Sequence, residues 1–420
     1  MRNLVHAALV VFALASASAP LAQPAGPSEI TRAEADRNRL DEALGRAVRP
    51  LSLRDGQIGG EGGAWLHARL QRADIVMIGE SHGTGSVAEA AGLIVDALPR
   101  DRPLAYALEM GAAGAAIQEP LLRDPVDRHE AYMADPRRAI GFAFLNLREE
   151  AALARRILAR SGKPGAALWG LDQEFATSAP LLLDRLEGLA RTTTQRRAIA
   201  QARERVKPLM ALSTLPDSFY EPLDTVFAAG PQAARDLLAD MRLSSRIYRD
   251  QNDAPSLSNR TREDHMKRRF LAYWRAAGRD KPRVVMKFGG YHLTAGLSPT
   301  ATPALGGFVH ALALIEGKTT LSLLVVCGPD GQQIDFRGAV QPCTGDFEAT
   351  AGLFRRRLLP EDATLIDTAP LRLIPGTLRR LVVPEDIRNY IQSYDAIIVL
   401  RGARAATPFA PPPASLFEGM

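Results

Sequence analysis

One stretch constrains the fold more than any other: residues 75–108 read as strand, glycine-rich loop, helix and strand in immediate succession. Ile75–Ile78 (IVMI) has no polar position, so neither face of that strand can meet water. It runs into Gly79-Glu80-Ser81-His82-Gly83-Thr84-Gly85, and SVAEAAGLIVDAL follows with helical spacing. Ser86 and Glu89 form an S-x-x-E capping box, which predicts the helix start. Leu104–Leu108, within PLAYALEMG, is a second continuously apolar strand. Such strands belong to a parallel sheet covered on both faces. The expected fold class is therefore α/β, with a mostly parallel central sheet flanked by helices.

The remaining segments fit that plan. Residues 1–22 read as a secretory signal peptide, with a basic start, an apolar run from Leu4 to Leu14 and small residues at Ala17, Ala19 and Ala22. Residues 23–63 form an N-terminal helical lead that ends in a glycine-rich loop over Gly56–Gly63. Residues 64–178 hold the first part of the α/β core, including a short buried strand at Ala166–Leu171. Residues 179–279 are amphipathic helix broken at Pro208, Pro216, Pro222, Pro231 and Pro255, too long for a loop and suited to a helical insertion or cap. Strand signals return over 280–405, at Val284–Phe288, Val309–Leu314, Leu321–Val326, Thr364–Ile366 and Ala396–Leu400. A proline-rich tail occupies 406–420. The sheet is thus assembled from both ends of the chain around a helical middle.

Composition narrows the function classes. The 52 basic and 47 acidic residues leave a net charge of +5, and the arginines are scattered rather than clustered, which is not a nucleic-acid footprint. No run approaches the roughly 20 apolar residues of a membrane anchor, so no stable membrane insertion is expected after signal cleavage. Two cysteines exclude a disulfide framework and an all-cysteine metal site. In an exported chain, Cys327 and Cys343 flank a Gly/Asp-rich turn whose ends can meet, which predicts a disulfide in a periplasmic or secreted protein.

The chemistry concentrates at strand ends. In open α/β sheets ligands bind at the carboxyl edge, where Glu80 and His82 fall. An imidazole and a carboxylate two residues apart make a general-base or metal-ligand pair; the alternative is a tight turn whose histidine bonds its neighbours. Gly289-Gly290-Tyr291-His292 follows the strand VVMKF and repeats the order strand, glycine, two residues, histidine. Both histidines share one edge if the two strands are parallel. Glu109 ends the strand PLAYAL, where it can orient an imidazole, bind a metal or act as a base, or simply favour a helix N-terminus. Asp172 in LWGLD is a further strand-end acid, and Arg262 in SNRTREDHM can hold a carboxylate or stabilise an oxyanion. His67, His129, His265 and His310 read as surface or packing residues. No G-x-S-x-G elbow, H-E-x-x-H helix or Walker loop is present.

On these motifs the chain resembles the erythromycin esterase-like group and its relatives, the ChaN haem-binding lipoproteins and the Tiki/TraB-type proteins. The resemblance rests on IVMIGESHGTGSVAEAAGLIVDAL, ALEMG, ALWGLD, RTREDHMKRRF and RVVMKFGGYHL in the family's order, with YDAIIVLRGARAATPF near the end. It implies that His82 is a general base or metal ligand, Glu80 and Glu109 its acidic partners, and His292 the second histidine. Erythromycin esterases usually carry one more residue between acid and histidine than the G-E-S-H found here; the twice-used G-x-x-H spacing is closer to the Tiki-type pattern, for which metal-dependent hydrolysis has been proposed.

The expected function is a hydrolase of an ester, lactone or amide small-molecule substrate, with water activated by His82 or by a divalent metal held on His82, His292 and Glu109, and with Arg262, Asp172 and Tyr291 at the substrate. The alternative implied by the resemblance is a haem- or small-ligand-binding protein without catalysis, with His82, His292 or Tyr291 as axial ligands.

Overall fold

In chain order the strands are β1 (Val48–Arg54), β2 (Gln57–Gly59), β3 (Ile75–Glu80), β4 (Leu104–Gly111), β5 (Leu168–Asp172), β6 (Arg283–Gly289), β7 (Thr320–Cys327), β8 (Gln332–Ile334), β9 (Val340–Pro342), β10 (Ala363–Asp367) and β11 (Ala396–Leu400). The computed structural model describes residues 27–206, 211–335, 337–343, 354–374, 383 and 385–413. The expected leader 1–22, Pro208 and the end of the tail lie outside the described residues.

Nine of these strands form one sheet in the order β2-β1-β10-β11-β7-β3-β6-β4-β5. From β11 through β7, β3, β6 and β4 to β5 every pairing is parallel; β10 and the β1–β2 hairpin close the other edge antiparallel. Alternation along β3 shows why the strand is apolar throughout. Val76 and Ile78 enter a core under the helices Gly60–Leu70, Gly85–Asp96 and Arg148–Leu158. Ile75 and Met77 enter a second core with Met266, Phe270 and Trp274 on the opposite face. The helical middle has a third core of its own, built from Leu182, Leu186, Ile199, Phe219, Leu223, Phe227, Leu237 and Met241. Its last helix, Pro255–Ala276, instead joins the sheet, where Trp169 of β5 stacks on Tyr273. Pro222 and Pro255 lie in the first turn of their helices and Pro231 at an N-cap, where a missing N–H costs nothing.

Three local expectations change. Val309–Leu314 is not a strand but part of the helix Leu305–Ile315. A short apolar run carries no periodicity that separates the two, and this one is helical over eleven residues. Gly56–Gly63 is not a loop. Asp55 and Gly56, at φ 52° and 72°, turn β1 into β2, and a helix starts at Gly60. The later glycines permit contact: a Cβ on Gly62 would lie 3.1 Å from both Leu51 Cβ and the Pro50 carbonyl oxygen. Finally, the helix after β3 is capped by Thr84 and starts at Gly85, without a side-chain cap. Arg404 claims the expected box instead, donating its N–H to Ser86 Oγ (2.9 Å) and pairing with Glu89 (2.7 Å).

Cys327 and Cys343 are disulfide-bonded and close the β8–β9 hairpin. That hairpin seats on the loop after β3: Ile334 N–H donates to the Gly83 carbonyl at 2.9 Å, as does Ala406 N–H. Gly83 has φ +85°, and a Cβ there would lie 2.2 Å from the Ile334 oxygen, so only glycine fits. The disulfide spans 16 positions, for which loop-closure entropy gives about 3 kcal/mol. Reduction is expected to lower the denaturation midpoint accordingly and to open residues 328–343 to protease; unchanged proteolysis would contradict the clamp.

Candidate active site

Because β6 runs parallel to β3, with Glu80 opposite Gly289, the two glycine–histidine motifs reach the same carboxyl edge. β6 also lies between β3 and β4, strands consecutive in sequence, so Glu80 and Glu109 flank its end from either side. Glu80, Glu109 and Asp172 are all buried. His82 lies at the mouth, with 48% of its side chain exposed.

Glu109 is the hub. Its Oε1 accepts from Arg262 Nη2 at 2.7 Å and faces His292 Nε2 at 3.3 Å; its Oε2 accepts the Gly289 N–H at 2.7 Å. Burial alone would raise its pKa, but His292, His82 and Arg262 hold it well below the usual carboxylate range. Arg262 completes a fork, with Nε 2.9 Å from Asp172 Oδ1 and Nη2 2.5 Å from Oδ2. His292 Nδ1 meets Glu263 Oε1 at 2.6 Å, and Glu263 Oε2 accepts the Leu305 N–H at 2.8 Å. Against burial, Glu109 and Glu263 push His292 up to about 10, so at neutral pH it is a cation with a proton on each nitrogen. Tyr291, beside it, is partly buried against the core with Phe288 and Leu293.

His82 is held differently. Its Nδ1 lies 3.2 Å from Glu80 Oε1, whereas its Nε2 lies 3.8 Å from Glu109 Oε2, beyond hydrogen-bond length. Crowding opposes its protonation, but Glu109 and Glu80 raise its pKa overall. Phe144 covers one side, with ring centroids 4.8 Å apart and its own backbone at φ 59°. Gly289 leaves room for both groups: a Cβ there would lie 3.0 Å from His82 Nε2 and 3.3 Å from Glu109 Oε2.

The expected metal set of His82, His292 and Glu109 does not fit a divalent ion as arranged. Both Glu109 oxygens accept hydrogen bonds, and both His292 nitrogens face carboxylates, Nδ1 toward Glu263 and Nε2 toward Glu109. Among the described residues no three His, Cys, Asp or Glu side chains are grouped to hold a metal. Arg262 and Asp172 neutralise each other within the protein, so the sequence-based picture of both at the substrate becomes one of a scaffold holding Glu109.

Sequence reasoning missed Glu263, Lys287, Glu150 and Phe144. Only Lys287 left a signal: a charged residue inside the apolar strand RVVMKF. Glu263 was hidden among the charges of RTREDHMKRR, and nothing local marks Glu150 or Phe144.

No family model matches the chain, and no curated protein matches it. Solved structures do. A histidine-to-asparagine mutant of erythromycin esterase EreC, in its open conformation, matches with a TM-score of 0.59 at 14% identity, over 85% of this chain and 98% of that one. The chain has the erythromycin esterase-like fold. A Bacillus cereus protein gives a TM-score of 0.55 at 12% identity over 89% and 99% of the two chains. A succinoglycan biosynthesis protein gives 0.55 at 11% identity over 88% and 98%.

In this esterase-like fold the site's charges make stability depend on pH with a definite sign. Glu109, with its depressed pKa, contributes above the ordinary carboxylate range and loses that contribution as pH falls through its folded value. His292 contributes fully below about 6.5 and loses it as pH rises through about 10. Glu174, which accepts from Ala113 and Gly114 N–H, is pushed by burial up to about 7, so its ionisation also disfavours the folded state as pH rises. Denaturant midpoints should therefore fall from pH 6 to pH 9; a rise would contradict these assignments.

Proposed function

We propose that this chain is a hydrolase of esters, lactones or amides of small-molecule substrates, exported from the cytosol. The observation that carries the reading is the asymmetry at His82, whose side chain is about half exposed: Nδ1 is held by a carboxylate while Nε2 has no hydrogen-bond partner among the described residues. An ionised Glu80 only accepts, so the neutral imidazole carries its proton on Nδ1 and presents a lone pair at Nε2. That lone pair removes a proton from water, which attacks the carbonyl carbon. Charge develops on the carbonyl oxygen near the His292 imidazolium, and a cation there favours the transition state over the ground state. His82 then returns the proton to the leaving group. The likeness to an erythromycin esterase structure supports the hydrolase class but not a substrate. The disulfide supports an oxidising compartment.

The test is a panel of aryl esters, lactones and anilides assayed with and without chelator. Turnover that survives chelator and disappears in His82→Gln is expected. No turnover of any class, or equal turnover by the variant, would sink the reading.

A further inference from the structure

Lys287 is the one charged side chain within the buried strand β6 that points toward this edge, and it is almost wholly enclosed, with 2% of its side chain exposed. Its Nζ lies 2.5 Å from Glu80 Oε1 and 2.6 Å from Glu150 Oε1, so one ammonium bridges two buried carboxylates. The Glu80 oxygen it touches is the same one that faces His82 Nδ1 at 3.2 Å. The other, Oε2, is buried and has no hydrogen-bond partner among the described residues. Glu80 is therefore held through a single oxygen, and apart from His82 itself Lys287 is the group that holds it there. A carboxylate released from that contact can rotate about its last torsion, which is broad and weakly restrained.

We propose that Lys287 and Glu150 are positioning residues for His82: the ammonium clamped between the two carboxylates locks Glu80 Oε1 against Nδ1 and so selects the ring tautomer that leaves Nε2 bare. The kinetic consequence rests on the hydrolase reading above; the tautomer does not. Charged groups face His82 from three strands, Glu80 from β3, Glu109 from β4 and Lys287 from β6. Behind Lys287 stand Glu150 and the buried Tyr106. Of the two carboxylates, Glu109 is tied to Arg262 and the Gly289 N–H, so it cannot turn to take over Nδ1 if Glu80 swings away. Burial and Glu80 push Glu150 up to about 7, and the Lys287 ammonium opposes that rise. A purely structural role, neutralising two buried acids, would leave the imidazole indifferent to the pair.

The experiment uses full-length protein with ¹⁵N-labelled histidine, His82 assigned by difference from His82→Gln, read without substrate at a pH where the ring is neutral. The wild type is expected to show the Nδ1–H tautomer. Lys287→Met should shift His82 toward Nε2–H, and kcat on whichever ester the wild type hydrolyses should fall about 10–100-fold with KM little changed. Because the single variant strands two buried carboxylates and can fail to fold, Lys287→Met/Glu150→Leu removes the pair together and should give the same shift. Glu150→Gln retains an acceptor for Lys287 and should keep the wild-type tautomer. A folded double variant with wild-type tautomer and kcat overturns the proposal. A tautomer shift in a protein that hydrolyses nothing overturns the hydrolase reading alone.

Discussion

Replacing His82 by glutamine is expected to lower kcat about 10²–10⁴-fold, the usual contribution of a general base, with little change in stability. The stability clause follows from position: about half of the imidazole faces solvent, and its one hydrogen bond is to Glu80, which Lys287 continues to hold. Thermal melts of wild type and variant should therefore nearly coincide while rates separate by orders of magnitude. The wild-type rate itself should fall as pH drops through the His82 pKa, because only the neutral ring takes a proton, and that acid limb should lie above the ordinary imidazole value since Glu109 and Glu80 raise it. An acid limb at or below the ordinary value would mean that these carboxylates do not govern the ring.

Replacing Arg262 by methionine should have the largest effect on the fold. It strands Glu109 and Asp172, both buried, one of them bound through a forked pair of 2.5 and 2.9 Å contacts. Breaking a buried pair by removing one partner typically costs about 3–5 kcal/mol, because the remaining charge stays desolvated. Since Arg262 keeps a quarter of its side chain exposed, water can reach the gap, and we expect the lower end, about 3 kcal/mol, by chemical denaturation. The loss should shrink at acid pH, where protonated carboxyls no longer need the guanidinium. Restoring neutrality with Arg262→Met/Asp172→Asn should recover part of it. Equal stability of Arg262→Met and wild type at neutral pH would show that Asp172 and Glu109 find other partners, contrary to the hydrogen bonds described.

The chain's own pattern placed Glu80, His82, Glu109, Asp172 and His292 at strand ends, and on one edge on the condition that those strands are parallel. Strands without a polar position are covered on both faces, as parallel strands commonly are, and β3, β6, β4 and β5 do run parallel, which sends their carboxyl ends the same way. The disulfide was legible for a similar reason, as two cysteines around a turn rich in glycine and aspartate. The expected strand at Val309–Leu314 failed because an apolar run buried along one side looks the same as helix or strand until something packs on it.

What the sequence determined by itself was where the buried strands lie and the type of residue at each strand end, since both follow from local pattern. What only the tertiary structure decided was pairing. That β6 enters between β3 and β4, that Arg262 spends its charge on Asp172 and Glu109, and that Lys287 and Glu150 stand behind Glu80 all depend on contacts between residues far apart in the chain. A charge acquires its role from what lies within a few ångströms of it, where Coulomb and desolvation energies are largest, and sequence distance carries almost no information about that neighbourhood.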